Sequence, residues 1–276
     1  MTEHVRRALV TGASSGIGEA TARLLAEEGY WVALFARRAG ELERIAKELE
    51  ASGASPASGK TYRAPLVLEG DITDPSQIDK AMARVEREMQ GLDLLVNNAG
   101  IGYRARVEEL EHEKLRQVFD TNVLGLLWMC RASLPLLRRG RKPAVINIAS
   151  VVGRRGIPGQ AAYSASKAAV CSIGEALRLE WAQDGVCIAT LNPALTATGF
   201  FDAQENPAGL PHPDTSKAAA SIDVARQVLA LDRKWEPERS LRWKWRVLGA
   251  LSVLSPRLAD RVLAKRLGGV DAGEKP

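Results

Sequence analysis

Near its amino terminus the chain reads Ala8-Leu9-Val10-Thr11-Gly12-Ala13-Ser14-Ser15-Gly16-Ile17-Gly18. A short apolar run breaks into a glycine-rich turn, and a helix is expected from Glu19. Glycines at such a junction let the chain turn tightly and bring backbone N–H groups against a pyrophosphate at a helix N-terminus. Gly12, Ser14, Ser15, Gly16, Ile17 and Gly18 are therefore candidate phosphate contacts. Two other readings compete. The glycines also suit close strand–helix packing without a ligand. Gly12–Gly16 further matches G-x-S-x-G, the hydrolase nucleophile elbow. An elbow on the first strand would be out of place, and its histidine would have to be His112 or His212, neither in a telling context.

Outward from this turn, apolar runs alternate with segments of helical period. Ala8–Thr11, Trp31–Phe35, Pro65–Leu68, Leu92–Val96, Ala144–Ile148 and Val186–Leu191 read as strands buried on both faces, as a parallel sheet requires. Leu42, Ile45, Ala46 and Leu49 share one helical face. Asp74-Pro75 reads as an N-cap followed by proline at the first helical position, before Ile78, Met82, Val85 and Met89, with a stop at Gly91. This alternation predicts βαβ units and a doubly wound α/β sheet with helices on both faces, as a single domain over 1–276. Gly53–Gly59 reads as an exposed loop, and Asn206–Ser216 has no periodicity.

The 276 residues suffice for one sizeable core, and 46% hydrophobic with 26% charged residues is a soluble globular balance. No apolar run approaches the ~20 residues of a membrane span, and the polar start, Met1 to Arg7, shows no cleavable signal. Cys130, Cys171 and Cys187 lack CxxC spacing, which argues against disulfides and a metal site and for a reduced, cytoplasmic setting. The net charge of +5 is local: Arg239–Arg266 holds eight Lys/Arg against one acid, Asp260. No nucleic-acid partner is expected from a charge confined to one segment.

The second strand ends Phe35-Ala36-Arg37-Arg38. A site selecting NAD favours a carboxylate here for the ribose 2′-hydroxyl; two arginines suit a 2′-phosphate instead. NADP(H) is thus the expected cofactor. Farther on, Ala162-Tyr163-Ser164-Ala165-Ser166-Lys167 opens a helical segment in which Tyr163 and Lys167, four residues apart, share a face. A neighbouring ammonium favours the phenolate and lowers a tyrosine pKa of about 10 toward neutrality. Ser150 ends a strand thirteen residues upstream, where a hydroxyl faces the ligand crevice. Asn97-Asn98-Ala99-Gly100 ends another strand, and Asn122 lies in an apolar stretch where an amide is costly without partners.

In the order TGASSGIG, Asp71, NNAG, Asn122, Ser150 and YSASK, the chain resembles the short-chain dehydrogenase/reductases from about Arg7 to Thr198. The resemblance implies a single-domain Rossmann fold with a seven-stranded parallel sheet, and an NADP(H)-dependent oxidoreductase that interconverts a ketone or aldehyde with an alcohol. It implies Tyr163 as general acid/base and Lys167 as its pKa modifier and a nicotinamide-ribose ligand. Ser150 would orient the substrate, and Asn122 would hold a water in a proton relay. It places the adenine beside Asp71-Ile72, other cofactor contacts at Asn98, Ala99 and Gly100, and the nicotinamide against Pro193-Ala194, followed by Thr196 and Thr198. A homodimer or homotetramer is implied, formed through the helices bearing Asn122 and Tyr163.

Two departures stand out: Ala194 replaces the family's usual glycine, and the C-terminus lacks the common ending. Residues 194–216 and the basic, tryptophan-containing extension 239–268 are the candidate substrate contacts, with Phe200, Phe201 and Trp245 making an apolar pocket. The extension also suits an anionic membrane surface, but packing on the body or a partner subunit is the preferred reading. A non-catalytic NADP(H) sensor is the alternative function. A nucleotide-sugar epimerase ranks below it, because it predicts a different glycine spacing and a longer chain.

Overall fold

Six strands form where the apolar runs predict them: β1 (Arg7–Thr11), β2 (Trp31–Ala36), β3 (Leu66–Glu69), β4 (Leu94–Asn97), β5 (Ala144–Ile148) and β6 (Cys187–Asn192). A seventh, β7 (Glu238–Ser240), pairs with β6 and completes a parallel sheet in the order β3-β2-β1-β4-β5-β6-β7. The computed structural model describes residues 5–51, 63–200, 204–207, 209–210, 218–241 and 243–266; the expected loop at 53–59 and Phe201 lie outside them.

The helices are α1 (Gly16–Glu27), α2 (Ala39–Ala51), α3 (Pro75–Met89), α4 (His112–Phe119), α5 (Gly125–Leu137), α6 (Ala161–Glu180), α7 (Ser221–Arg233), α8 (Trp243–Leu254) and α9 (Pro256–Arg266). Side chains alternate across a strand, so each strand feeds two cores. Ala8 and Val10 join α1, α2 and α7 on one face, where Leu25, Leu42, Ile45 and Val228 are buried. Leu9 joins α3, α5 and α6 on the other, with Val85, Met129 and Val170. The sheet is covered on both faces, as its apolar strands demand.

Three local expectations need correction. The first helix begins at Gly16, not Glu19, since Glu19 N–H already donates to Ser15 O at 3.2 Å. The first helical turn therefore lies inside the glycine motif. In α3 the Asp74 carboxylate accepts from Ser76 and Gln77 N–H as expected, but the left-handed terminal residue is Gln90, at φ 61°. Gly91 answers a different need: a Cβ there would lie 2.7 Å from Arg7 Nη1. The C-terminal extension also starts inside the sheet, because Arg239 sits in β7 and pairs with Glu236.

Beyond β7, Leu248, Ala259 and Leu263 are buried while Val253 and Leu254 are exposed, so α8 and α9 pack on the body by one face. The anchorage is the loop after β5. Arg154 pairs with Glu238 of β7 and, at 2.9 Å, with Glu175 of α6; Arg155 pairs with Asp260 of α9. Among the described residues no helix is long and apolar enough to cross a membrane.

Candidate active site

The strand order reverses between β1 and β4, and the crevice beyond their carboxyl ends is where a doubly wound sheet receives its ligand. Thr11 closes β1 there. Its hydroxyl donates to Val96 O (3.3 Å) and accepts from Asn98 N–H (2.9 Å) and Ala99 N–H (3.0 Å). Asn98 returns the connection, its amide donating to Thr11 O (3.0 Å) and Gly12 O (3.3 Å). Asn98 and Ala99 thus brace the glycine turn, and Thr11 is a site residue that the motif reading passed over.

Gly12 and Gly16 adopt φ of 65° and 58°, a left-handed backbone that glycine takes without a Cβ clash. At Gly18 the constraint is space: a Cβ would lie 2.2 Å from Gly12 O. Ser14 is buried, Ser15 is exposed at the helix start, and Ile17 packs on the core. This bare-backbone cradle at the N-terminus of α1 fits a pyrophosphate. Arg38 folds onto the same turn, donating to Ser14 Oγ (3.0 Å), Ser14 O (3.2 Å) and Ser15 Oγ (2.8 Å). Arg37 extends into solvent, 3.8 Å from Asp71. Asp71 itself accepts from Thr73, and the Ile72 side chain belongs to the core beneath α5.

Across the crevice, Tyr163 and Lys167 project from the first turns of α6. Tyr163 comes near Ser150, whose side chain accepts from Val152 N–H and caps the short turn after β5. Lys167 is buried, donates to Ile148 O at 2.9 Å, and lies 5.9 Å from the Tyr163 ring centroid. Gly153 lets that turn press on α6, since a Cβ there would lie 2.7 Å from Lys167 O.

The electrostatics differ from the simple pair expected. Burial pushes the Tyr163 phenol above its ordinary value, opposed by the nearby Ser150 side chain. Burial also pulls Lys167 down to about 8. In the protein alone, desolvation prevails, and Tyr163 is a neutral phenol at physiological pH.

Asn122 sits where the helix between α4 and α5 widens to a π-turn over Asp120–Leu124. Its amide accepts from Ile101 N–H (2.8 Å) and donates to Ile101 O (2.9 Å) and Ser166 Oγ (3.0 Å). Gly100 backs onto this group: a Cβ there would lie 3.1 Å from Asn122 Oδ1 and 3.5 Å from Lys167 Nζ. Beyond β6, Pro193 O accepts from Val151 N–H at 3.0 Å. Ala194 is not among the residues of positive φ, so its methyl group imposes no backbone strain. Thr196 donates to Ala194 O (3.0 Å), and Thr198 lies against Gly16, its Cγ2 3.3 Å from a Cβ built there. The 194–198 segment therefore bridges the two halves of the crevice. Phe200 stacks near Tyr163, ring centroids 5.6 Å apart, while Trp245 is half-buried on α8.

Comparison with known proteins agrees with this geometry. The sequence model of the family described as short chain dehydrogenase matches residues 6–208. A bovine (Bos taurus) relative named dehydrogenase/reductase SDR family member 7B is 30% identical, over 96% of this chain and 83% of its own length. Among solved structures, an alcohol dehydrogenase from Thermococcus sibiricus complexed with 5-hydroxy-NADP superposes with a TM-score of 0.74 at 29% identity. That match covers 87% of this chain and 97% of the other. A 3-ketoacyl-(acyl-carrier-protein) reductase from Brucella melitensis, complexed with NADH, also gives 0.74 at 26% identity, covering 86% and 96%. With its family profile, its relatives and its sheet in accord, the chain belongs to the short-chain dehydrogenase/reductase family of oxidoreductases.

Proposed function

We propose that the protein is an NADP(H)-dependent oxidoreductase acting on CH–OH groups, interconverting a ketone or aldehyde with its alcohol through Tyr163. The placement of Lys167, anchored on Ile148 O, 5.9 Å from the Tyr163 ring and across the crevice from the glycine turn, carries this reading. A nicotinamide bound there supplies the hydride. In the reducing direction Ser150 and Tyr163 hold the carbonyl oxygen between two hydroxyls. Burial keeps Tyr163 protonated, so it is ready to donate as negative charge develops on that oxygen. Lys167, mostly cationic at neutral pH with its pKa near 8, then faces a phenolate and favours it. Asn122 fixes the Ile101 peptide beside Gly100 and so holds the crevice wall behind Lys167.

The dinucleotide would rest on Gly12–Gly18, Asn98–Gly100 and the 193–198 segment, with Asp71-Ile72 on the adenine side. Arg37 and Arg38 support NADP(H) over NAD(H), since no carboxylate ends β2 and Arg38 already lies on Ser14 and Ser15. The similar structures include one complex of each cofactor type, so the basic pair bears the preference. The described residues of the 194–216 stretch make the substrate side, and Phe200 makes the wall next to Tyr163 apolar. The assembly is a homodimer or homotetramer. A cofactor sensor without chemistry has no need of the assembled Ser150–Tyr163–Lys167 group.

The test is a screen of NADPH oxidation against ketones and aldehydes, with NADPH binding measured separately. Turnover is expected, and Tyr163→Phe is expected to lower kcat by about 10³-fold while retaining NADPH affinity. Tight NADPH binding without turnover of any carbonyl, or a near-normal Tyr163→Phe, would sink the assignment.

A further inference from the structure

The strand-like run Tyr103-Arg104-Ala105 lies between two neighbours, bridged in parallel at Tyr103–Glu205 and Ala105–Gln160. Arg104 N–H donates to Glu205 O at 3.0 Å, and Ala105 N–H to Gly159 O at 3.1 Å. Extended chain alternates its side chains. Tyr103 and Ala105 pack with Val118 and Ala162, and the Tyr103 hydroxyl accepts from Glu111 N–H. Glu205 turns to the same side and meets Lys114 at 2.6 Å. By alternation, Gly102, Arg104 and Gln204 face the other way.

That second face leads to the reacting tyrosine. A Cβ on Gly102 would lie 2.7 Å from Gln204 Nε2 and 2.8 Å from Phe200 Cζ. Phe200 is the ring that stacks near Tyr163. Yet this apolar wall continues into two polar side chains that no described residue satisfies. Arg104 is 8% exposed and Gln204 5%. Among the described residues, Nε and Nη1 of Arg104 and both polar atoms of Gln204 have no hydrogen-bond partner. No carboxylate among the described residues pairs with Arg104. A core position would favour an apolar residue here, because an unpaired guanidinium is costly to remove from water. Its planar fork of donors matches a carboxylate or phosphate, and the Gln204 amide can donate alongside it.

We propose that Arg104 and Gln204 form a subsite for an anionic group, a carboxylate or a phosphate, carried by the substrate beyond Phe200. The inference rests on the oxidoreductase reading above and narrows it: the substrate is apolar next to Tyr163 and negatively charged at its far end.

The test uses calorimetry on the full chain saturated with NADPH, with 4-phenylbutyrate, 3-phenylpropyl phosphate and the neutral 4-phenylbutyramide as probes. One of the anions is expected to bind at least about tenfold more tightly than the amide, with the gap closing to roughly twofold or less in Arg104→Met. Which anion binds better separates carboxylate from phosphate. Equal binding of all three probes, or a gap that survives in Arg104→Met, overturns the proposal. Removing an unpaired buried charge is expected to leave the melting temperature of Arg104→Met at or above that of the parent. A clear fall would assign Arg104 a structural role and also overturn it. Because the readout is binding, its failure is distinct from a failure of carbonyl turnover, which would strike the oxidoreductase reading itself.

Discussion

Gly18→Ala offers a severe test of the cradle, because the obstructing atom is backbone. The added methyl group would lie 2.2 Å from Gly12 O and 2.5 Å from Asn98 Nδ2, where ordinary contact starts at 3.4 Å. The start of α1 must therefore back away from the turn by about 1 Å, against the hydrogen bonds that tie Asn98 to Thr11 and Gly12. Overpacking of this kind costs up to ~3 kcal/mol, which in a chain of this size lowers Tm by roughly 6–12 °C. Gly40→Ala is the matched control. It lies in α2 with nothing within 4 Å, and the better helix former is expected to add about 0.5–1 kcal/mol. Thermal melts of both variants, followed by NADPH fluorescence titration, decide the matter. A Gly18→Ala melt matching the parent refutes the steric reasoning. A lowered melt with unchanged NADPH affinity refutes the cofactor cradle and leaves a packing glycine.

Three further outcomes are expected. Arg38→Ala should weaken NADPH relative to NADH by roughly tenfold in kcat/KM, and more than Arg37→Ala, because Arg38 is the arginine held on the turn; equal use of both cofactors by the parent protein would count against this. Lys167 has a folded pKa near 8 against 10.5 unfolded, so it disfavours folding below pH 8 and the penalty lifts as pH rises from 8 to 10.5. Lys167→Met should therefore be more stable than the parent at pH 7, with the gap in denaturant midpoint narrowing across that window. A gap independent of pH would contradict the assignment. Asp93 is buried and accepts from Arg7 and Arg141; burial raises its pKa, but these bonds lower it further. Its contribution is complete above the ordinary carboxylate range and is lost as pH falls through the lowered value. Asp93→Asn should cost about 3–5 kcal/mol in urea unfolding at pH 7, and a loss near zero would show the pair to be dispensable.

Much of this was legible in residue order because the interior is so regular. The inner strands β1, β2, β4, β5 and β6 are buried on both faces over most of their length and read as mainly apolar runs, and Ile78, Met82, Val85 and Met89 repeat at the helical period. β7 escaped because an edge strand of three half-buried residues, Glu238-Arg239-Ser240, carries no apolar signal. Thr11 opens the quoted glycine motif yet received no role, because its partners Asn98 and Ala99 lie 87 and 88 residues away and meet it only in the fold. The Tyr163–Lys167 spacing was readable, but not the balance between desolvation and charge, which depends on how tightly α6 closes over β5. Arg104 stands in no motif that marks it in the sequence. Its isolation emerges only when Tyr103 and Glu205 are seen to face the other way.

The loop after β5 carries Ser150, Arg154 and Arg155 within six residues, and its two arginines are clasped by β7, α6 and α9. Tyr163 and Lys167 lie on α6, which the same Arg154 joins to β7 through Glu175 and Glu238. One pair of arginines thus couples β7 and α9 to both the Ser150 loop and α6, so a strain applied at the tail is shared by the two walls that carry Ser150 and Tyr163.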